Sequence, residues 1–292
     1  MYFLKEFKEH LSNKINIPYE LVDKHINISQ QRFSSSWNSG EYGKFSDDFY
    51  TATSWTSLTS ANKSSFCKDG IDFIQLYQNS QYIDIMRMLS YSEPHSLTSL
   101  TNKAMKQLVA PFVKILVSKF ETSGDKIVLV DYGCGLAYWT IHIAEILVSK
   151  NIPCELVLID IYRESFIDFI DFLCKKRNIS YKYLEVTHEQ LIPEIPECDY
   201  VHIMAVLEHT SEPERIIQSI VDNIRDHGVI FGTFYDDPFE DYQHISYNLS
   251  NVRDILENNQ KYKINKLDPY WNPDTTIYQV FKPLTNNEAN NN

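Results

Sequence analysis

Cysteine is scarce in this sequence, and its spacing excludes two roles that cysteine often has. There are five cysteines, an odd number, and no two of them form a Cys-x-x-Cys pair. Such a pattern indicates neither a disulfide framework nor a zinc site. We therefore expect reduced thiols, no bound metal and a cytoplasmic location.

Positively charged residues are also few relative to negatively charged ones. The 27 lysines and arginines are outnumbered by 39 aspartates and glutamates, which gives a formal net charge of −12. This acidic balance argues against duplex nucleic acid or an anionic membrane as the main partner. The compact basic run Lys175–Arg177 falls at the C-terminus of a predicted helix, where cations stabilise the helix dipole.

Long apolar runs are missing as well. The first ten residues interrupt their apolar side chains with charges, so they have the pattern of neither a signal peptide nor a membrane span. No later stretch has the length needed to cross a bilayer, and we expect no membrane association.

The periodicity of the chain changes near residue 124, which suggests two regions and a tail. The 292 residues, 43% of them hydrophobic, suffice for one large α/β domain plus an extension. Helical patterns dominate residues 1–123, whereas strands and helices alternate in residues 124–284, which is typical of a parallel sheet. Residues 285–292 are polar, and we expect them to be a disordered tail.

Residues 31–66 combine many large aromatic side chains with serine and threonine. Because large aromatic rings favour burial, we predict that this stretch is a lid over the nucleotide domain, with Trp37 and Tyr42 at the pocket. The alternative is that the rings pack permanently on the helices predicted for residues 69–120.

One short stretch, Val128–Leu136, carries the clearest functional signal. It begins as a buried strand that ends in Asp131, and Gly133 and Gly135 follow at the spacing of a tight turn. A helical pattern starts immediately afterwards. The order strand, Gly-x-Gly turn and helix is that of a nucleotide-binding α/β unit.

Two common nucleotide motifs are absent from this stretch. A dinucleotide fingerprint requires a third glycine, and Tyr138 occupies that position. A P-loop requires a Gly-Lys-Ser/Thr sequence, which the chain lacks. What remains is an acid-x-Gly-x-Gly turn followed by a bulky residue.

Further strands follow at regular intervals. A second buried strand ends at Asp160, and others are predicted at 181–186, 200–204, 228–235, 262–267 and 276–281. Ser211–Glu214 has the sequence of a capping box, with Pro213 in the first turn of a helix that we expect to end at Gly228.

In order along the chain, these features resemble the class I S-adenosylmethionine-dependent methyltransferases over residues 124–284. Asp131-x-Gly133-x-Gly135 resembles their motif I, Asp160 stands where their second strand ends in an acid, and 199–209 resembles their fourth-strand motif. The resemblance implies a Rossmann-like, doubly wound, mostly parallel sheet of seven strands with the last strand antiparallel. It departs from the family where Asp226 and His227 replace the usual Pro-Gly before the fifth strand.

The resemblance also implies roles for individual residues with S-adenosylmethionine as cofactor. Asp131 would hold the methionyl ammonium, Asp160 the ribose hydroxyls, and Ile161 would flank the adenine. The residues assigned to the cofactor are Asp131, Gly133, Cys134, Gly135, Tyr138, Asp160, Ile161, Thr187, His188, Met204 and Ala205.

His209 is the candidate catalytic residue. A hydroxyl acceptor must lose its proton during methyl transfer, and a histidine near neutral pKa suits that task. The alternative is that Glu208 and His209 only stabilise the loop after the fourth strand. The residues assigned to the substrate are Glu208, Tyr235, Asp237, His244, Trp37 and Tyr42.

These observations together predict a methyltransferase that acts on a small-molecule acceptor at oxygen or nitrogen. Two alternatives stay open: methylation of a protein or peptide, and a catalytically inactive methyltransferase fold that serves as a partner subunit. The sequence also leaves a homodimer open.

Overall fold

The computed structural model describes ten ranges of the chain. They are residues 4–15, 18–20, 22–23, 102–162, 164–187, 190–204, 206–234, 248–259, 262–267 and 275–281. The predicted lid at 31–66, the helix predicted within 69–91 and the tail at 285–292 lie outside these ranges. The predicted site residues outside the described ranges are Trp37, Tyr42, His188, Ala205, Tyr235, Asp237 and His244.

We number the described elements in chain order. They are α1 (Leu4–Ile15), α2 (Asn102–Ser123), β1 (Ile127–Tyr132), α3 (Tyr138–Ser149), β2 (Cys154–Ile161), α4 (Glu164–Arg177), β3 (Ser180–Val186), β4 (Cys198–Ile203), the 3₁₀ helix Leu207–His209, α5 (Pro213–Asn223), β5 (Ile224–Thr233), α6 (Ser250–Glu257), β6 (Lys263–Leu267) and β7 (Thr275–Phe281). None of the described helices combines the length and apolar composition that crossing a bilayer requires.

The seven strands form one sheet in the order β3-β2-β1-β4-β5-β7-β6. The first five strands pair in parallel, and β7 runs antiparallel between β5 and β6. The predicted fold class is therefore confirmed. The order of the strands reverses direction between β1 and β4, and open α/β sheets bind ligands at such a point.

The core surrounds the central strands on both faces of the sheet. On one face, Ile216, Ile217, Ile220 and Val221 of α5 are buried in one apolar cluster that also contains side chains of β1, β2 and β4. On the other face, Phe112 of α2 packs against Tyr200 and Phe231 at centroid distances of 5.5 and 5.0 Å. Because both faces are covered, β1 is buried along its whole length and contains only one charged residue, Asp131.

Two local predictions are wrong. The capping box does not form, because Glu212 is the N-cap of α5, no side chain caps the helix, and Pro213 begins it. The helix also ends at Asn223 and leads directly into β5. The strand register shifts between Cys198 and Tyr200, and His227 adopts a left-handed φ of 58°, so the chain bulges where we expected a helix end.

The chain divides into two compact units, Met1–Met105 with Arg163–Phe172, and Lys106–Tyr162 with Leu173–Asn292. The second unit contains the sheet. In the first unit, the ring of His10 packs against Phe172 at 4.9 Å and Phe169 at 5.6 Å, and Lys14 forms an ion pair with Asp168. These contacts join α1 to the first part of α4.

Candidate active site

Acidic and imidazole side chains meet at the carboxyl ends of the central strands. Asp131 lies near the end of β1 and is the register partner of His202 on β4, whereas Asp160 lies near the end of β2. All three residues therefore lie at the carboxyl edge of the sheet, near the point between β1 and β4 where the strand order reverses.

The loop after β1 is held against the end of β2 by backbone and side-chain hydrogen bonds. The N–H groups of Gly133 and Cys134 both donate to the carbonyl of Ile159, at 2.7 and 3.2 Å. The N–H of Gly135 donates to Oδ2 of Asp160 at 2.7 Å. Because Asp160 closes this loop, the second acidic residue predicted from the sequence is joined to the glycine turn.

Asp160 is half-buried, and both of its carboxylate oxygens accept hydrogen bonds. Its Oδ1 accepts the N–H of Ile161 at 2.7 Å, so each carboxylate oxygen receives one described backbone N–H. A carboxylate oxygen has two lone pairs, and such a group can accept from both hydroxyls of a cis-diol. This arrangement is compatible with a ribose.

Exposed hydrophobic side chains follow Asp160 directly. Ile161 is 38% exposed and Tyr162 is 53% exposed. The hydroxyl of Tyr183 donates to the carbonyl of Ile161 at 2.9 Å, which ties this segment to β3. Sequence reasoning selected Ile161 and missed Tyr162, although an aromatic residue two positions after a strand-terminal acid was a readable signal.

Asp131 is the centre of a buried polar triad. Its Oδ1 lies 2.9 Å from Nδ1 of His202, and its Oδ2 accepts the hydroxyl of Thr140 at 2.6 Å. Asp131 itself is only 1% exposed. His202 belongs to the fourth-strand stretch but had no predicted role. Its spacing of two residues from Tyr200 places both on one face of the strand, but it does not identify Asp131 as the neighbour of His202.

Cys134 lies beside both acids and is buried. Burial raises the pKa of its thiol well above the ordinary value, and the charges of Asp131 and Asp160 raise it further. A thiol with a raised pKa is a poor nucleophile. The structure thus gives Cys134 the character of a small apolar filler of the loop.

The sequence matches a protein-family model described as a methyltransferase domain over residues 101–285. The chain belongs to the class I S-adenosylmethionine-dependent methyltransferases. No curated protein matches the sequence.

Several solved methyltransferase structures share similarity with the chain. The N-methyltransferase NodS from Bradyrhizobium japonicum, in complex with S-adenosyl-L-homocysteine, is 14% identical to this chain, with a TM-score of 0.44. The alignment covers 70% of this chain and 98% of the NodS chain. The bifunctional kinase-methyltransferase WbdD is 17% identical with a TM-score of 0.44, covering 60% of this chain. Precorrin-6y C5,15-methyltransferase from Geobacter metallireducens is 17% identical to this chain, with a TM-score of 0.38. The alignment covers 61% of this chain and 88% of the precorrin methyltransferase chain. The alignment with WbdD spans only 39% of that protein's length.

The remaining predicted residues of this methyltransferase lie on the segments after β3 and β4. His209 is exposed at the end of the 3₁₀ helix, and Glu208 beside it is buried. Met204 is half-buried after β4, and Thr187 is exposed after β3, where its hydroxyl accepts the N–H of Gln190 at 3.1 Å. Within the described ranges, His, Cys, Asp and Glu side chains do not gather in groups of three that could hold a metal ion.

Tyr138 begins α3, the helix that follows the glycine loop. The N-cap of α3, Ala137, is left-handed with a φ of 52° and makes no side-chain capping bond. The first N–H groups of a helix have no partner within the helix and attract negative ligand groups. The N–H groups of Gly133, Cys134 and Gly135 are already engaged within the protein, so this segment adds the positive end of the α3 dipole beside the three polar side chains of the edge.

Proposed function

We propose that the protein transfers a methyl group from S-adenosylmethionine to a small-molecule acceptor, at an oxygen or a nitrogen atom. The observation that carries this proposal is the hydrogen bond between the N–H of Gly135 and Asp160. It joins the glycine turn to an acid that suits a ribose, at the sheet edge where nucleotides bind.

The described residues fit the cofactor by the chemistry of their groups. Asp160 offers lone pairs to the ribose hydroxyls, and Ile161 and Tyr162 offer apolar surface to an adenine. Gly133 and Gly135 would allow the backbone to approach the ligand closely. Nε2 of His202 is buried without a hydrogen-bond partner in the described part of the chain, which favours a ligand group beside it.

Bound S-adenosylmethionine supplies a methyl group on a positively charged sulfur. The task of the protein is then to bind both reactants, align them and exclude water, because proximity and orientation supply much of the rate of such a displacement. His209 is our proposed base for an acceptor that carries a proton, and Glu208 would lie at the acceptor side of the site.

A small acceptor is favoured by composition. The net charge of −12 disfavours nucleic acid, and the aromatic stretch at 31–66 suits a closed pocket around a small or planar molecule. From the sequence alone, we assign five further residues to the acceptor: Trp37, Tyr42, Tyr235, Asp237 and His244.

Isothermal titration calorimetry with S-adenosylhomocysteine and with NAD tests the cofactor. We expect binding of S-adenosylhomocysteine alone, weakened in Asp160→Ala about 10- to 100-fold, which corresponds to about 1–3 kcal/mol for the loss of a charged hydrogen-bonding partner. Asp125→Ala is the matched control, because Asp125 is exposed before β1. Binding of NAD without any response to S-adenosylhomocysteine would refute the proposal, and an unchanged affinity in Asp160→Ala would refute the role of Asp160.

The acceptor class is tested by transfer of radiolabelled methyl groups to a library of small hydroxyl and amine compounds. Label in a small product supports the proposal. Label that enters added protein or peptide instead would favour the alternative acceptor. Cofactor binding without any transfer would favour an inactive partner subunit.

A further inference from the structure

His202 is held in a defined orientation by two neighbours on adjacent strands. Its Nδ1 lies 2.9 Å from Oδ1 of Asp131 on β1, and its ring packs on Phe231 of β5 at a centroid distance of 5.6 Å and an angle of 36°. Only 8% of the residue is exposed. The ring therefore has little freedom to turn.

The hydrogen bond to Asp131 determines what the other ring nitrogen can do. An ionised carboxylate only accepts hydrogen bonds, so Nδ1 must carry a hydrogen and donate it. In the neutral ring, Nε2 is then an acceptor. Nε2 is buried and has no hydrogen-bond partner among the described residues, which is costly unless a ligand supplies a donor.

Asp131 is poorly placed to contact a ligand directly. One of its oxygens faces His202, the other accepts the hydroxyl of Thr140 at 2.6 Å, and only 1% of the residue is exposed. Each oxygen thus has a side-chain partner, whereas Nε2 of His202 has none in the described part of the chain. Apart from His202, no cationic side chain forms an ion pair with it in the described part of the chain. Because it faces Nδ1 of His202, its negative charge favours a hydrogen on that nitrogen.

We propose that Nε2 of His202 accepts a hydrogen bond from the ammonium group at the amino-acid end of the cofactor, so that His202 and not Asp131 is the direct contact. The inference rests on the proposed function. With the ribose at Asp160 on β2, the other end of the cofactor would reach β1 and β4, which are the next strands in the sheet. An acceptor nitrogen backed by a buried carboxylate suits a cationic donor.

The test compares two ligands that differ in the amino-acid end. S-Adenosylhomocysteine carries the ammonium, whereas 5′-methylthioadenosine lacks the whole amino-acid end. The variant His202→Asn places an amide nitrogen where Nδ1 lies, so it retains a donor for Asp131 and removes Nε2. We expect calorimetry to show about 10- to 100-fold weaker binding of S-adenosylhomocysteine to His202→Asn, with 5′-methylthioadenosine unchanged within about twofold.

A third ligand identifies the group at Nε2. The analogue of S-adenosylhomocysteine without its amino group should bind the wild type as weakly as S-adenosylhomocysteine binds His202→Asn, and the variant should cause no further loss. His142→Asn is the matched control, because His142 is a buried histidine on α3 whose Nδ1 faces Glu145 of the same helix. Its binding of all three ligands should equal that of the wild type.

The outcomes distinguish a failure of this inference from a failure of the proposed function. If the wild type binds no S-adenosylhomocysteine, the proposed function fails and the inference fails with it. If the wild type binds it and His202→Asn binds it equally well, or loses both ligands to the same extent, only the inference is overturned. Should His202→Asn not fold, the ¹⁵N resonance of Nε2 in the wild type decides: it should shift with S-adenosylhomocysteine and not with 5′-methylthioadenosine, and an unchanged resonance overturns the inference.

Discussion

Gly133 occupies a position in the glycine loop that a larger residue could not occupy without strain. Its φ is +71°, a left-handed conformation, and a Cβ built there would lie 2.2 Å from Cγ2 of Val206. The side chain of Val206, in the segment after β4, therefore covers the turn after β1. Both the backbone conformation and the contact require glycine.

We predict that Gly133→Ala destabilises the protein more than Gly124→Ala. Gly124 has the same φ of +71° but no atom within 4 Å of a built Cβ, so its alanine variant carries only the left-handed strain of about 1–2 kcal/mol. Gly133→Ala adds an overlap that costs about 1–3 kcal/mol more. Urea unfolding of the two variants measures the difference.

The contact with Val206 provides an internal control. Adding Val206→Ala to Gly133→Ala should recover part of the lost stability, because it removes the methyl groups that lie closest to the new Cβ. Equal losses in Gly133→Ala and Gly124→Ala would contradict the role of Val206.

Asp199 connects four elements at the amino edge of the sheet, opposite the candidate site. This buried residue of β4 accepts the N–H of Val128 in β1 at 2.7 Å. It also forms ion pairs with Lys119 of α2 at 2.8 Å and with Arg225 of β5 at 3.1 Å. Lys119 additionally donates to the carbonyl of Asp226 at 2.6 Å, so the helix is tied to the bulge in β5.

We predict that Asp199→Ala lowers the free energy of unfolding by about 3–5 kcal/mol, since it leaves a buried N–H and two cations without their partner. Affinity for S-adenosylhomocysteine should stay unchanged in the folded variant, because the site is at the other edge. Denaturant unfolding and calorimetry measure these two quantities.

Glu197→Ala is the control for Asp199→Ala. The side chain of Glu197 is 75% exposed and lies 3.7 Å from Arg225, so its loss should cost less than about 1 kcal/mol. A small effect of Asp199→Ala, comparable with that of Glu197→Ala, would show that the four elements do not depend on this anchor.

The acid stability of the sheet domain depends in part on Glu155 at the start of β2. Hydrogen bonds from Lys126 and Lys182 hold the pKa of its carboxyl below the ordinary value of 4.5. A carboxyl whose pKa is lowered by folding stabilises the protein above its unfolded pKa. That contribution disappears as the pH falls through the folded pKa.

We predict that the wild type is more stable than Glu155→Gln by up to about 1 kcal/mol at pH 7. The difference should begin to shrink below about pH 5 and vanish when Glu155 is protonated in the folded protein. Salt should reduce it at pH 7, because Lys126 and Lys182 are 53% and 69% exposed and their charges are screened. Urea unfolding between pH 3 and pH 7 measures it, and a pH-independent difference would contradict the assignment.

Much of the fold followed from local patterns in the sequence. The buried strand before Asp131, the acid at the end of β2 and the strand pair at the C-terminal end were all predicted near their observed bounds. These features are readable because strand burial and glycine turns depend on neighbouring residues. The junction between α5 and β5 was not readable in this way, because the bulge at His227 lies where the register between β5 and the distant strand β4 shifts.

The sequence by itself determined the parallel sheet, its family and the acids at the strand ends, because periodicity and motif spacing are local properties of the chain. The partners of those acids were decided by the tertiary structure. His202 is 71 residues from Asp131, and they meet because β4 pairs beside β1 with these two residues in register. A register between distant strands depends on the packing of the whole sheet, so the histidine beside Asp131 could be found only after folding.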